Sequence, residues 1–320
     1  MNVLSLFDGI ACGYQALKDC RVAVDNYYAS EIDQNAIAIA KKNHPNIIEL
    51  GDCNNWRSWN INLSTIDLLI AGSPCQGFSR NGKMLNFEDP RSKLFFVFVD
   101  VLNAIRKENP NVYFLLENVE MKKEWEDIIS SYLGCEPYKI NSRIVSAQSR
   151  SRYYWSNIRP FNYQCDIRLK DILEDVDLSN YIKIGDYKID PDIPMKEMSL
   201  VTLGDNLRIK QATELGYIIA YDGDGINLSF PSSKTRRGRV IRSKSPTLDC
   251  QCNCGVFYNG IIRKFTIHEL EALQGLPAGY TQGISLQARK KAIGNGWNVN
   301  TINLFFMNFY LYGYTKGGGF

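Results

Sequence analysis

The chain has 320 residues, 37 Lys+Arg against 34 Asp+Glu for a formal net charge of +3, and 45% hydrophobic residues. That apolar share excludes a disordered chain, and the lack of any run of about 18 uncharged apolar residues excludes a membrane-spanning helix. Nine scattered cysteines read as reduced thiols of a cytosol-like compartment, and MNVLSLFDGI, with an acid by position 8 and no basic n-region, does not read as a signal peptide.

VLSLF (3–7) reads as a buried strand broken into a turn by Gly9 and Gly13, with a short helix over 14–19. YYAS (27–30) is a second strand ending in Glu31 and Asp33, and Gln34–Asn43 a helix. IDLLIAG (66–72) is a third strand, Leu94–Lys107 a helix and VYFLLEN (112–118) a fourth strand. Strands alternating with helices predict an α/β fold, a doubly wound and mostly parallel sheet. In such sheets ligands bind at the carboxyl ends of the strands. Gly9, Glu31, Asp52, Cys75 and Glu117 all fall at or just after such ends.

From about 166 to 260 helical periodicity fades, which predicts a smaller, loop-rich domain. Residues 161–231 hold 13 acids and 7 Lys/Arg, whereas SSKTRRGRVIRSK (232–244) holds six Lys/Arg and no acid. Helical pattern returns in RKFTIHELEALQGLP, and IGNGWNVNTINLFFMNFYLYG reads as a final helix closing onto the first domain. The tail TKGGGF reads as frayed.

Several residues suit chemistry, each beside a plainer role. Gly9 and Gly13 permit close backbone approach to a ligand, or simply make a turn. Glu31, closing the second strand, is placed to accept ribose hydroxyls. Asp52 in GDCNNW either contacts an adenine amino group or caps a turn. In GSPCQGFS (72–79), Pro74 and Gly77 constrain the loop that carries Cys75, favouring an exposed, nucleophilic thiol over a buried one. Glu117 follows VYFLL, so partial desolvation should raise its pKa and let it donate a proton; otherwise it is an ordinary strand-end acid. Arg150 and Arg152, two apart in QSRSRYYW, share a face if extended and suit phosphate or a carbonyl oxygen, or a salt-bridged strand. In CQCNC, alternation would put Cys250, Cys252 and Cys254 on one strand face. No fourth ligand is evident, so no metal is expected, and the two histidines, His44 and His268, add no ligand set.

In order, FDGIACG, SEID, GDC, GSPCQGFS, FEDPRSKLFF, ENV, QSRSR and GNGWNV resemble the DNA cytosine-5 methyltransferase family along nearly the whole chain. The wording of several blocks looks like the animal de novo enzymes, whereas RKFTIHELEALQGLP and the short 166–260 region look like bacterial and phage modification enzymes. The resemblance implies an S-adenosylmethionine-dependent, Rossmann-like catalytic domain over 1–165 and 262–320, and a target recognition domain over 166–261. It implies a cofactor pocket of Phe7, Asp8, Gly9, Ile10, Gly13, Glu31, Ile32, Asp52, Cys53 and Pro74, closed by Asn295 and Trp297. Cys75 would be the nucleophile, and Glu117 and Arg152, with Arg150 beside them, would contact the target cytosine. Ser79, Arg80 and Gln148, with Lys234, Arg236, Arg237 and Arg239 of the basic run, would contact DNA. Departures from the bacterial pattern, Ala11 and Cys12 in the first block and Ser73 before Pro74, occur in the animal branch.

The implied function is sequence-specific methylation of a cytosine flipped out of double-stranded DNA, as in restriction-modification, by a monomeric cytoplasmic enzyme. A cognate restriction endonuclease would act separately. Loop 80–93 would close over the flipped base, and the basic run would track phosphates. Methylation of tRNA is the alternative, although that branch typically carries Pro-Pro-Cys where this chain has Ser-Pro-Cys. A catalytically silent regulator would have lost the Cys or the ENV block.

Overall fold

A computed structural model describes residues 1–73 and 93–311. The expected turn bearing Pro74, Cys75, Ser79 and Arg80, the loop 80–92 and the tail TKGGGF lie outside the described residues. The chain divides into two compact units. One holds Met1–Asn141, Ser151–Tyr163 and Gly296–Phe320; the other holds Ser142–Arg150 and Gln164–Asn295. No described helix is long and apolar enough to cross a membrane.

The first unit opens with β1 (Asn2–Leu6), α1 (Cys12–Asp19), β2 (Asn26–Ser30), α2 (Gln34–Asn43), β3 (Ile48–Glu49) and β4 (Leu68–Gly72). It continues with α3 (Lys93–Glu108), β5 (Tyr113–Val119), α4 (Lys123–Leu133), β6 (Tyr138–Asn141) and β7 (Ser151–Ser156). These strands form one sheet in the order β3-β2-β1-β4-β5-β7-β6. β1 to β5 are parallel, and β7 runs antiparallel to both β5 and β6. The sheet is doubly wound, and its strand order reverses between β1 and β4, the place where such sheets open a ligand crevice. Leu68–Ala71 and Tyr113–Asn118 are buried throughout, as expected of strands covered on both faces. Helix α3 buries Phe95, Phe98, Val99, Val101, Leu102 and Ile105, a helical stripe that packs with Leu69, Phe114, Leu116 and Trp155.

The expected last helix is broken. A helix ends at Asn295 and another spans Val299–Leu311, because Asn298 Oδ1 accepts from Thr301 N at 3.1 Å and caps a new start. This C-terminal helix buries Ile302, Phe305, Phe306 and Phe309 in the first unit, and Cys20 Sγ of the α1 end donates to Asn303 O.

Most of the second unit lies outside regular elements, and the regular elements it has are mainly short strands. They are β8 (Ile182–Ile184), β9 (Tyr187–Ile189), β10 (Val201–Thr202), β11 (Leu207–Lys210), β12 (Tyr217–Ala220), β13 (Asp224–Asn227), β14 (Val240–Ile241), β15 (Cys254–Tyr258) and β16 (Ile261–Lys264). Helices α5 (Met195–Met198), α6 (Ile267–Leu273) and α7 (Leu286–Asn295) complete it. β10-β11-β12 form one sheet and β14-β13-β15-β16-β9-β8 another. Residues 262–295, expected with the catalytic domain, cluster here instead. Phe265, Leu270, Leu273 and Ile293 share a core with Ala147, Leu169, Leu248 and Val256. Arg263 binds both carboxylate oxygens of Glu269, at 2.6 and 2.7 Å, and both side chains are buried.

Candidate active site

At the carboxyl ends of β1 and β2 the backbone is bent hard. Phe7, Gly9 and Ala11 have φ of 56°, 61° and 60°, a left-handed region costly for the two residues with a Cβ. The turn aims Gly9 N at Glu31 Oε2, 2.8 Å away. Glu31 Oε1 accepts from Ile32 N and Asp33 N, both at 2.8 Å. Three of about four acceptor positions are thus used, and one on Oε2 remains for a hydroxyl. Ile32 beside it is 69% exposed, an apolar platform at the strand end.

Asp8 has a different character. Tyr27 Oη donates to its Oδ1 at 2.6 Å, and its Oδ2 is buried with no partner. Burial pushes the Asp8 carboxyl up to about 7, against hydrogen bonds from Ser5 and Tyr27; Glu49 and Glu31 nearby add to the rise. Both carboxylate oxygens of Glu49 are also buried and unpartnered, and burial raises its pKa too. Tyr27 in turn stacks on Tyr14, with ring centres 4.6 Å apart. This cluster has unmet demand for a cation or a donor at the crevice end of the sheet.

Other expected pocket residues sort by packing. A Cβ on Gly13 would lie 2.3 Å from Ile70 Cδ1, so this glycine serves helix-to-sheet packing rather than ligand approach. Ile10 and Cys53 are buried, and Cys53 packs in the core, which leaves only their backbone for a ligand. Burial pushes the Cys53 thiol up to about 12. Asp52 Oδ1 accepts from Asn54 N at 2.9 Å and caps the short helix Cys53–Ser58. Trp297 lies against β4: a Cβ on Gly72 would meet its Nε1 at 2.5 Å. Asn295 belongs to the second unit, where its Oδ1 accepts from Cys250 Sγ at 2.9 Å, and so is not grouped with Trp297.

At the carboxyl end of β5, Arg152 Nε lies 3.0 Å from Glu117 Oε1, and both side chains are largely buried. Antiparallel pairing makes this meeting possible, because Val119 faces Arg152 and Glu117 faces Tyr154 on β7. Arg152 Nη1 donates to Ser151 O at 2.8 Å. Asn118, fully buried, donates from Nδ2 to Ser73 Oγ at 3.0 Å, tying β5 to the last described residue before Pro74. The sequence reading missed Asn118 and Tyr27; both are polar residues inside apolar strands, and that is the signal that could have found them.

Arg150 does not join Arg152. It precedes β7, is buried in the second unit, and donates from Nη1 to Leu248 O and from Nη2 to Gly294 O at 3.1 and 3.3 Å. The two-residue alternation fails because the strand begins only at Ser151. Gln148, expected at the DNA, is also fully buried, with Nε2 on Leu273 O and Gln274 Oε1 and its Oε1 accepting from Leu248 N. The CQCNC thiols do not share a strand face, since Cys252 has φ 49° and β15 begins only at Cys254. Burial raises all three, Cys252 to about 12.

The basic run divides. Arg239 is buried and donates to the carbonyls of Asn227, Ser229 and Phe230 at 3.1, 2.9 and 2.9 Å, so it is a strut rather than a DNA contact. Lys244 is buried against Ser146 O and Ile167 O. Arg242 pairs with Asp224. Lys234 and Arg237 are exposed, Arg237 Nε donating to Ala212 O, and Arg236 is half-buried.

Comparison with known proteins places this geometry. Over 121 residues, 38% of this chain, it is 38% identical to a Type II methyltransferase of Neisseria gonorrhoeae, and the match spans 27% of that relative's length. It is 31% identical over 192 residues, 54% of this chain and 42% of the relative, to an orphan methyltransferase of Bacillus phage SPR. It is 25% identical to a Type II methyltransferase of Haemophilus parahaemolyticus, covering 96% of this chain and 94% of the relative. Among solved structures, a prophage-encoded Escherichia coli protein described as a DNA modification methyltransferase matches with a TM-score of 0.63 and 20% identity, covering 97% of this chain and 98% of that one. An Entamoeba histolytica methyltransferase matches with a TM-score of 0.62 at 18% identity, covering 98% of both chains; these two likenesses show the fold. The sequence profile of the C-5 cytosine-specific DNA methylases matches residues 1–308, and the chain belongs to that family.

Proposed function

We propose that this chain is a sequence-specific DNA cytosine-C5 methyltransferase that draws its methyl group from S-adenosylmethionine. The observation that carries this reading is the Glu117–Arg152 pair at the end of β5, one strand over from the β4 end that leads to Pro74 and Cys75. Family membership supports the substrate, and the arrangement of carboxylates supports the cofactor.

The residues at the crevice fit that cofactor. Its ribose hydroxyls suit the free acceptor position on Glu31, and its adenine suits exposed Ile32 with Asp52, whose neighbour Gly51 accepts from Ser30 Oγ at the end of β2. Its ammonium and sulfonium cations suit the unmet carboxylates of Asp8 and Glu49. Phe7, Gly9, Pro74 and Trp297 would form the remaining wall. When bound, the cofactor supplies an electrophilic methyl group.

Carbon 5 of cytosine is a weak nucleophile. Addition of the Cys75 thiolate to C6 would convert the ring to an enamine with electron density at C5. Glu117 would donate to N3 and make that addition feasible. With Oε1 on Arg152, its Oε2 is left for the base, and Arg152 Nη2 is left for the carbonyl O2. Methylation at C5, loss of the C5 proton and elimination then return the free thiol. Inside a duplex C6 is inaccessible, so the cytosine must be flipped out, at roughly a few kcal/mol of unstacking. The 166–261 region would select the sequence, and the enzyme would act as a cytoplasmic monomer, independently of any restriction endonuclease.

Bisulfite sequencing of plasmid from cells expressing the chain tests this directly. Methylated cytosines in one sequence context are expected, and Cys75→Ser should abolish them. A duplex carrying 5-fluorocytosine should trap the wild type covalently. Unmethylated plasmid, or methyl groups found on tRNA instead, would overturn the proposal; methylation without a trapped adduct would remove Cys75 as nucleophile.

A further inference from the structure

One aromatic side chain of the second unit is held outward at a conformational cost. Phe230 is 61% exposed and sits at φ 53°, a left-handed conformation disfavoured for a bulky residue. Its backbone is over-determined: Phe230 O accepts from Arg239 Nη2 at 2.9 Å and from Ser233 N at 3.0 Å. The preceding carbonyls, of Asn227 and Ser229, are held by Nη1 of the same buried guanidinium. Ser229 Oγ bonds Asp249 Oδ2 and Asn253 O, and Leu228 N donates to Asn253 O. The far side of the loop is stitched to the β11–β12 turn through Ala212 N to Arg236 O and Arg237 Nε to Ala212 O. A buried arginine, two stitches and a strained backbone therefore present one ring to solvent. Strain of this kind persists where the surroundings enforce it, and it concentrates at functional positions.

The ring carries a guanidinium. Arg236 lies over Phe230, 5.1 Å from the ring centre. Two other arginines of this unit also stack, Arg242 on Tyr221 at 4.4 Å and Arg208 on Tyr217 at 4.9 Å. Arg242 is neutralised by Asp224, whereas Arg236 makes no ion pair among the described residues. Stacking restricts the rotamers of Arg236 but leaves the N–H edge of its planar fork free. That edge matches two acceptors side by side, and in the DNA major groove guanine O6 and N7 provide them. Exposed Lys234 and Arg237 flank the pair with positive charge suited to the phosphate backbone.

We propose that Phe230 and Arg236 form the specificity element of this enzyme: the strained ring positions the Arg236 guanidinium to read one guanine of the recognition sequence. The proposal rests on the DNA methyltransferase reading above and assigns to one pair the sequence selection left there to a whole region. Lys234 then sets affinity alone.

The test presents purified protein with a library of random duplexes, reads the bound sequences at two salt concentrations, and reads methylated cytosines in the same pool by bisulfite conversion. The wild type should select a context with a fixed guanine. Arg236→Ala should make that one position degenerate, losing roughly 10- to 100-fold in discrimination. Phe230→Gly, which relaxes the left-handed backbone and removes the ring, should degrade the same position without lowering Tm. Lys234→Ala should weaken binding evenly and flatten the salt dependence with the selected sequence unchanged. Unaltered selection in Arg236→Ala, or degeneracy at a position other than guanine, overturns the proposal. Fall in Tm for Phe230→Gly with selection intact makes the ring structural and overturns it as well. If the wild type selects sequences yet methylates none, the methyltransferase reading falls while the pair is still decided by binding; if it selects nothing, both fall.

Discussion

The two units treat their buried charges differently. The first buries carboxylates at its strand ends and leaves hydrogen-bonding capacity unused: Asp8 Oδ2 and both oxygens of Glu49 have no partner. The second buries carboxylates and guanidiniums together and uses most of the guanidinium N–H groups, Arg239 Nε being buried without a partner. Arg150 holds two carbonyls, Arg239 holds three, and Arg263 grips Glu269 with two nitrogens. An unpaired buried polar group costs free energy that a ligand or a water can return, whereas a hydrogen-bonded one serves as scaffold. The unmet carboxylate oxygens therefore mark the sheet end proposed to bind the cofactor, and the carbonyl-bound N–H groups mark arginines that hold loops in shape.

The largest effect that could break this contrast lies at Glu117. Glu117→Gln should lower the methylation rate by roughly 10²- to 10⁴-fold while the cofactor Kd from calorimetry is unchanged. Equal losses in both would make Glu117 a structural partner of Arg152, no different from Glu269 with Arg263. Next comes Arg239→Met, which removes the guanidinium from the carbonyls of Asn227 and Ser229 and leaves Phe230 O with Ser233 N alone, and should lower the unfolding free energy in urea by about 3 kcal/mol. A change under about 1 kcal/mol would mean that water replaces the strut and that the guanidinium is not scaffold.

The smallest effect sharpens the first half of the contrast. The Asp8 carboxyl goes from 3.8 to about 7 on folding, so the folded state binds its proton more tightly. Its stabilising contribution is full below about pH 4 and is lost as pH rises through 7. Asn cannot ionise. Thermal melts should therefore show the Tm of Asp8→Asn gaining on the wild type between pH 4 and pH 7 and holding that gain above. Parallel Tm curves would show that Asp8 finds a partner after all.

What could be read in advance followed backbone period. The helix Gln34–Asn43 was legible to the residue, because Asp33 caps it and apolar residues recur at helical spacing. The buried strands of the parallel sheet, and the positions of the candidate residues at their ends, were legible for the same reason. Side-chain direction outside such elements was not. In sequence, Arg239 is one more cation in a basic run; only the loop that folds around it makes it an internal donor. Arg150 and Arg152 looked equivalent until the strand began between them. The strands of the second unit span two to five residues each, too short for alternation to stand out from turns. The left-handed conformation of Phe230 had no signal at all, since glycine or asparagine is the usual occupant.

The contact of Trp297 with Gly72 has a consequence for synthesis. The crevice wall at β4 is completed by a residue that leaves the ribosome long after β4 itself, with the whole second unit translated in between. At about 5–20 residues per second, the nascent chain carries β1 to β5 for on the order of tens of seconds before Trp297 exists to cover them. Interrupted translation products would therefore have strands and acids in place but an unfinished wall. Because the final contact joins distant parts of the chain, closing it should be among the late events of folding. Competence to modify DNA would then arise only in molecules whose synthesis has passed the second unit.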